Sequence, residues 1–257
     1  MSVKFTLLGC GSSMGVPRAD GFWGKCNPNE KKNFRTRCSA LISTPNKNIL
    51  IDTSPDLRFQ LLKQKINSID TVLYSHHHAD QTHGINDLRI FYIKNKKRID
   101  IYCDKLTSTY FKKNFSYCFN DKDNYPATLK LNFIKKNLEL FDNKDKVKIK
   151  TIPVKHGSID CQSFIINESL AYASDISYIY KKDLNNFKNL KYLIIDCLRI
   201  KPHPSHYNLE QILKLISFLK PYKSILTNLH SDLDYKYLLK VLPKNIKPAY
   251  DGLTLKI

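Results

Sequence analysis

The sequence predicts an α/β protein, with strands and helices alternating along both halves of the 257-residue chain. Two observations support this class. Short apolar runs of strand length recur along the chain, and apolar residues at helical spacing occupy several of the segments between them. The chain contains no linker rich in Pro, Gly or Ser and no internal repeat, so we expect a single domain over residues 1–257.

The first half is expected to contain strands and two helices. Ser54 would cap the first helix, which extends from Pro55 to about Lys65, because serine is a favoured N-cap and proline a favoured first residue. The second helix begins near Ile85, and Gly84 permits a close approach to it. Apolar runs predict strands at residues 4–8, 40–43, 48–51 and 72–75.

The second half continues this alternation. Apolar residues recur at helical spacing over 209–219, behind the favoured N-cap Asn208 and ahead of Pro221, which ends the helix. A shorter helix is indicated by the apolar residues of 235–242. Strands are predicted at residues 147–154, 163–166, 170–173, 193–196 and 224–227.

A cluster of histidines follows the predicted strand 72–75, in the segment SHHHADQTHG. If the chain stays extended there, His76 and His78 point to the same side and His77 points away, because side chains alternate along a strand. Asp80 follows at the next even position, where it can bind a metal or orient a water molecule. This spacing predicts a metal site. The alternative is a solvated polar loop, and His77 and His83 taken singly are as readily packing or capping residues.

The pattern H-x-H-x-D followed by Gly resembles the signature of metallo-β-lactamase-fold hydrolases. Residues 75–89 resemble the branch that contains the phosphoribosyl cyclic phosphodiesterase of phosphonate breakdown. Further similar segments occur in family order: LGCGSSMGVP at 8–17, ILIDTSPD at 49–56, VKHG at 154–157, YASD at 172–175, HPSH at 203–206 and LTNLH at 226–230. The resemblance implies a four-layer αββα sandwich, in which two sheets lie back to back and helices cover both outer faces.

The resemblance also implies roles for single residues. His76, His78 and His156 would hold a first metal, Asp175 would bridge to a second, and Asp80 would bind the second metal and orient the nucleophilic water. Without the family pattern, a histidine or aspartate directly after a strand is more simply a packing or capping residue, so His156 and Asp175 depend on the resemblance.

Two departures from the family pattern affect the second metal. Gln81 and Asn228 stand where the family usually has histidines, and a neutral amide is a poorer ligand than imidazole for zinc. We therefore expect one tightly held Zn²⁺ or Mn²⁺ and a second metal that is weak or absent. His230 either supplies the missing nitrogen or has a surface or capping role. The family's cysteine-rich zinc knuckle retains only Cys26 and Cys38, too few for a four-ligand structural zinc.

Charge and composition set looser limits. The 42 Lys and Arg residues against 23 Asp and Glu give a net charge of +19, which favours a phosphate-bearing partner. The lysines are spread along a chain rich in Asn and Ile, as an AT-rich genome also produces, so the charge supports a small phosphate ester and only weakly supports RNA.

No apolar run approaches ~18 residues and no signal peptide is evident, which predicts a cytoplasmic protein without membrane contact. Seven cysteines, an odd number, predict free thiols. A homodimer is left open.

These observations predict a metal-dependent hydrolase, most simply a phosphodiesterase acting on a small or cyclic phosphodiester. Asp80 would orient the attacking water. His206, which aligns with the family's active-site histidine, would protonate the leaving alkoxide, with His203 as the alternative donor. Two other functions remain open: an endoribonuclease of the tRNA 3′-end processing type, and a binding protein with a degenerate metal site.

Overall fold

Two seven-stranded sheets lie face to face in the computed structural model, which describes residues 3–122 and 124–257. The first sheet contains, in spatial order, β14 (Thr254–Lys256), β1 (Lys4–Gly9), β2 (Ser39–Ser43), β3 (Asn48–Ile51), β4 (Thr71–Leu73), β5 (Ile99–Cys103) and β6 (Leu129–Phe133). The second contains β13 (Ile246–Pro248), β12 (Lys223–Thr227), β11 (Tyr192–Asp196), β10 (Leu170–Ala173), β9 (Ile159–Ile166), β8 (Val147–His156) and β7 (Asn137–Leu140).

Helices cover the outer face of each sheet. On the first sheet lie α1 (Leu57–Lys63), α3 (Arg89–Asn95) and α4 (Lys105–Asn114), and on the second lie α5 (Leu209–Leu219) and α6 (Tyr235–Val241). The one-turn helix α2 (Ala79–Thr82) lies in the segment after β4. Short 3-10 helices occur at Lys31–Asn33, Ile85–Leu88, Ser116–Cys118, Asn143–Asp145 and Lys181–Phe187. Over the described part of the chain, no helix is both long and apolar enough to cross a membrane.

The alternation of apolar side chains along the strands builds three separate cores. In β1, Phe5 and Leu7 enter the core between the sheets, whereas Leu8 faces the helices outside. Phe5 meets Tyr172 of the second sheet with ring centroids 5.4 Å apart. Because each sheet has one face buried against the other sheet and one against helices, the layers are helix, sheet, sheet and helix. The predicted four-layer sandwich is confirmed.

The predicted elements agree with the structure except at some ends. The helix 209–219 is α5, and Asn208 caps it in a reciprocal arrangement with Gln211. The Ser54 cap is wrong, because α1 begins at Leu57 with Asp56 at its N-cap position. The Ser54 hydroxyl donates instead to Gln60 Oε1 at 3.2 Å. The chain after Gly84 enters a 3-10 helix before α3, and the region of β5, α4, β6 and β7 was not predicted.

Parallel strand pairing brings polar loop residues to one end of the sandwich. β3, β4 and β5 are parallel to one another in the first sheet, as are β10, β11 and β12 in the second. The carboxyl ends of parallel strands lie at a common edge, where loops present functional groups. The residues that follow β4, β8, β10, β11 and β12 meet there, and they form the candidate site.

Candidate active site

Three imidazoles converge between the two sheets. Ligand nitrogens of His76, His78 and His156 all lie within 4.8 Å of one another. The rings of His76 and His78 are 4.5 Å apart, on one side of the chain as the alternation predicts, and both lie 5.1 Å from the ring of His156. His77 turns outward to the ring of Tyr110 at 5.6 Å. The spacing of the three nitrogens fits one divalent cation.

A buried relay orients His76. Its Nδ1 lies 3.0 Å from the Ser75 hydroxyl, which donates to Asp52 Oδ2 at 2.8 Å. The Ser75 oxygen therefore accepts from Nδ1–H, so the lone pair of His76 is on Nε2. That Nε2 is buried and has no hydrogen-bond partner in the described structure. Burial lowers the pKa of His76 to about 3, which keeps the imidazole in the neutral form that binds metals.

His156 is oriented in the same way. Its Nδ1 donates to the carbonyl of Ser205 at 2.9 Å, which leaves the lone pair on Nε2, 3.3 Å from His78 Nδ1. Burial lowers the pKa of both His156 and His78. The two nitrogens can share one proton in a hydrogen bond, or can bind the same cation when both lone pairs are free.

The second side of the site is filled by amide groups. Gln81 Nε2 lies 3.2 Å from Asp175 Oδ2 and 3.3 Å from Asp80 Oδ2, so its NH₂ group donates to both carboxylates. Asn228 Nδ2 donates to the other oxygen of Asp175 at 3.3 Å. Burial, with Asp175 beside it, raises the pKa of Asp80 to about 6. The structure thus brings the two aspartates together as predicted, with amide donors between them.

His206 forms a pair with a buried carboxylate. Its Nδ1 lies 2.6 Å from Asp196 Oδ2, at the end of β11, and its ring is 4.6 Å from that of His156. Burial lowers the pKa of His206, but Asp196 outweighs this and raises it to about 9, whereas burial raises the pKa of Asp196 to about 7. Both shifts leave a proton on the pair at neutral pH. With Nδ1 held by Asp196, Nε2–H of His206 is free to donate.

One cavity of about 280 Å³ is lined by six of these residues: His78, Asp80, His156, Asp175, His206 and Asn228. Its rim carries Arg199, His203 and His230, and Ser12 contributes a buried hydroxyl without a partner in the described structure. The guanidinium of Arg199 donates to the carbonyls of Lys201 and Pro202, at 3.2 and 2.7 Å. His203 Nδ1 accepts from the Ser205 N–H at 3.2 Å, which leaves the proton of the neutral ring on Nε2.

His230 lies on this rim rather than among the clustered nitrogens. Its Nδ1 is 3.0 Å from Asp232 Oδ1. Neither group of closely spaced ligand atoms found among the described residues includes His230 or Asp80; the second group consists of His156, Asp175 and His206. Whether His230 binds a metal stays a prediction. His83 lies outside the cavity lining, with Nε2 2.9 Å from the Tyr110 hydroxyl.

Sequence reasoning missed three of these residues. Asp196 was placed correctly at a strand end, but its role depends on His206, which is ten residues away in the chain. Arg199 and Ser12 come from loops whose course no periodicity predicts. The available signals were the position of Asp196 after a buried strand and the polar Gly-Ser-Ser segment after β1.

A buried arginine, Arg35, lies beside Cys26, one of the two cysteines that remain of the expected zinc knuckle. Arg35 is 1% exposed, and its guanidinium donates to the carbonyls of Leu233 and His230 and to Asn33 Oδ1, at 2.7, 3.3 and 3.2 Å. Cys26 Sγ lies 3.8 Å from the same guanidinium. A permanent cation therefore joins this loop to the segment after β12. All seven cysteines are free and buried.

The chain is similar in sequence to a known protein family and to a known protein. The family model described as "Beta-lactamase superfamily domain" matches residues 47–228. The octanoyltransferase of Porphyromonas gingivalis (strain ATCC BAA-308 / W83) is 34% identical over 257 residues, which cover 98% of this chain and 51% of that protein. The chain thus spans about half the length of this relative.

Solved structures are similar over the whole chain. A structure described as a new diphosphatase from the PhnP family is 31% identical, with a TM-score of 0.91 and coverage of 100% of this chain and 98% of the other. Zn²⁺-bound PqqB from Methylobacterium extorquens (16% identity, TM-score 0.76, 99% and 100% coverage) and the short form of human tRNase Z (15%, 0.65, 98% and 98%) share the fold. The chain belongs to the metallo-β-lactamase-fold hydrolases, in their PhnP-like branch.

Proposed function

We propose that this protein is a metal-dependent phosphodiesterase that acts on a small or cyclic phosphodiester. The observation that carries the proposal is that a three-imidazole cluster lies beside His206, a histidine bound to a carboxylate, and that His78, His156 and His206 line one cavity. When bound, a divalent cation supplies Lewis acidity to a phosphoryl oxygen and lowers the pKa of water toward ~7. Zn²⁺ and Mn²⁺ both suit the donor set.

The chain's own residues supply the remaining steps. Asp80, at the cavity wall, accepts a hydrogen bond from the attacking water and orients it. His206 donates its Nε2 proton to the leaving oxygen, while Asp196 holds the ring by Nδ1 and stabilises the charged form before transfer. Arg199 and the Nε2–H of His203 offer donors to the anionic oxygens of the substrate at the rim.

The test is hydrolysis of bis-p-nitrophenyl phosphate and of a cyclic nucleotide by protein loaded with Zn²⁺ or Mn²⁺. We expect turnover that a chelator abolishes and that added metal restores. His76→Ala and His156→Ala should lose both metal and activity, whereas His83→Ala, outside the cavity lining, should retain both. A metal-loaded protein that hydrolyses neither compound would refute the assignment.

A diphosphatase activity is the second candidate, favoured by the 31% identical solved structure that bears this description. Both reactions begin with attack of water at phosphorus, but they differ in the leaving group. A phosphate leaving group is stable as an anion, whereas an alkoxide needs the proton of His206. Assays with a dinucleoside diphosphate beside the cyclic nucleotide therefore separate the two candidates, and a precursor tRNA substrate tests the ribonuclease alternative in the same series.

A further inference from the structure

We infer that this chain forms a mononuclear centre, in which the side-chain amides of Gln81 and Asn228 take the place of a second metal. The inference uses the metal site of the proposed function and is independent of which phosphate ester is cleaved. His76, His78 and His156 provide three convergent nitrogens, which fit one cation. Around Asp175, by contrast, the neighbouring groups are the side-chain amides of Gln81 and Asn228.

The amide N–H groups compete with a second cation for the carboxylate oxygens. The NH₂ group of Gln81 contacts one oxygen of Asp80 and one of Asp175, at 3.3 and 3.2 Å, and Asn228 Nδ2 contacts the other oxygen of Asp175 at 3.3 Å. Turning the Gln81 amide over would place its oxygen against two carboxylate oxygens, which repel it. The hydrogen-bonding orientation therefore has the NH₂ group between the aspartates, as a neutral substitute for a bridging cation.

The charges of the site agree with a single cation. Asp80 and Asp175 are the two carboxylates that contact the Gln81 amide beside the three imidazoles. One divalent cation balances these two carboxylates. A second divalent cation would leave an excess of two positive charges, which no further acidic side chain of the described cavity lining balances. Repulsion between two cations held at neighbouring positions opposes the binding of the second.

His230 does not supply the imidazole nitrogen that Gln81 and Asn228 lack. Its Nδ1 is engaged by Asp232 at 3.0 Å, and the side chain lies on the cavity rim. Within the described ranges, no cluster of closely spaced ligand atoms combines His230 with Asp80 or Asp175. The second position therefore has amide N–H donors bound to carboxylate acceptors, while Gln81 Oε1 is buried without a hydrogen-bond partner among the described residues.

The experiment measures metal content and magnetic coupling instead of turnover. Apoprotein is dialysed against Zn²⁺ or Mn²⁺, and bound metal per chain is measured by mass spectrometry of the digested protein. We expect about one tightly bound ion per wild-type chain, with any second ion weaker by ~10²-fold or more. The Mn²⁺ protein should give the electron paramagnetic resonance spectrum of an isolated ion. Two tightly bound, magnetically coupled ions in wild type would overturn the inference.

The variant Gln81→His/Asn228→His tests the cause. Replacing both amides by imidazoles should raise the tightly bound metal to about two per chain and produce a coupled Mn²⁺ spectrum. Asn114→His, which adds a histidine at the exposed end of α4, is the matched control and should stay at one. Circular dichroism checks that the double variant folds, and the two single variants replace it if it does not. If wild type binds two ions and His230→Ala binds one, His230 is the substitute ligand and the mononuclear model is wrong.

Discussion

His206 differs from its neighbours in ionisation, although all four site histidines line or adjoin one cavity. Burial lowers the pKa of His76, His78 and His156, whereas the contact with Asp196 raises that of His206 to about 9 against the effect of burial. Unprotonated imidazoles bind metals, and a protonated one delivers a proton. The contact with Asp196 therefore distinguishes His206, the proposed proton donor, from the three histidines that are candidate metal ligands.

His206→Ala should lower the turnover of a cyclic nucleotide by ~10² or more while metal content stays at the wild-type value. The reason is that His206 acts on the leaving alkoxide and is held by Asp196 rather than by the three-imidazole cluster. Turnover of bis-p-nitrophenyl phosphate should fall less, because nitrophenolate leaves without a proton. Steady-state kinetics with both substrates, together with metal analysis, make the measurement.

Equal losses on the two substrates would show that His206 does not act as the proton donor. Loss of metal together with activity would assign His206 to metal binding. This alternative is consistent with the structure, because ligand atoms of His206, His156 and Asp175 lie close together. His83→Ala is the control for removal of an imidazole from the same part of the protein.

Single residues were predictable to the extent that local spacing determines direction. His76 and His78 followed from alternation along an extended segment, and their rings meet. His156, Asp175 and His206 depended on the family resemblance, because no local pattern shows which distant loops meet. The amide hydrogen bonds of Gln81 were beyond sequence reasoning, since they depend on the distance between Asp80 and Asp175 across two sheets.

The loop after β3 is hydrogen-bonded to the loop after β4, which carries the candidate metal ligands His76 and His78. Thr53 N–H donates to the Gln81 carbonyl at 2.8 Å, and its hydroxyl donates to the Thr82 carbonyl at 3.1 Å. Gly84 N–H returns a bond to the Thr53 carbonyl at 2.9 Å. Backbone bonds of this kind fix the path of the chain from His76 through α2, so the position of the ligands depends on a neighbouring element that contributes no ligand.

Gly84→Ala should weaken these hydrogen bonds between the two loops. A Cβ at Gly84 would lie 2.1 Å from the Ser54 carbonyl oxygen and 2.9 Å from Leu57 Cβ, so one of the two loops must shift. We expect the free energy of unfolding to fall by about 1–3 kcal/mol, and zinc affinity to fall as the ligand loop moves. Urea denaturation and zinc titration measure the two effects.

Gly21→Ala is the matched control, since a Cβ there meets nothing within 4 Å and costs only the strain of a φ of +80°. Unchanged zinc affinity in Gly84→Ala would show that the metal loop is held independently of this contact.

Elements were predictable where apolar runs were long and bounded by strong turn or cap residues. α5 has a capping box and a continuous apolar face, and it was predicted with the bounds found. β13 and β14 have three residues each, too few for a periodicity to develop. β8 and β9 form one long hairpin across Gly157, whereas the sequence predicted shorter strands, because the charged residues near the turn obscure the pattern.

At the scale of the whole molecule, the last residues join the two sheets. The chain leaves β13 in the second sheet, crosses over Asp251, and adds β14 to the first sheet. Asp251 accepts hydrogen bonds from Cys10 N at 3.1 Å and from the amide and hydroxyl of Thr36 at 2.8 and 2.7 Å. It thus holds three distant segments together. The four-layer order itself came from the family resemblance, since periodicity alone fits other α/β layerings.

Stability should depend on pH through Asp251. Burial raises its pKa to about 6, from an ordinary value of 3.8. A carboxyl group with a raised pKa in the folded state stabilises the fold when protonated, so its contribution is complete below about pH 4 and is lost as pH rises through 6. In Asp251→Asn this dependence disappears. The difference in unfolding free energy between wild type and variant should therefore change by roughly 2 kcal/mol from pH 4 to 7.

Urea denaturation at several pH values measures that difference, and Asp160→Asn, at a half-exposed carboxylate on the protein surface, serves as the control. A difference that stays constant over this pH range would show that Asp251 is ionised with its ordinary pKa in the folded protein.

The buried Arg35 has a consequence for what happens when metal is scarce. A guanidinium keeps its charge at every pH at which proteins fold, and no chelator can remove it. The loop that contains Cys26 and Arg35 is therefore tied to the carbonyls of His230 and Leu233 by a covalently attached cation. If metal starvation empties the three-imidazole cluster, this tie remains, so we expect the segment after β12 to keep its position until metal returns.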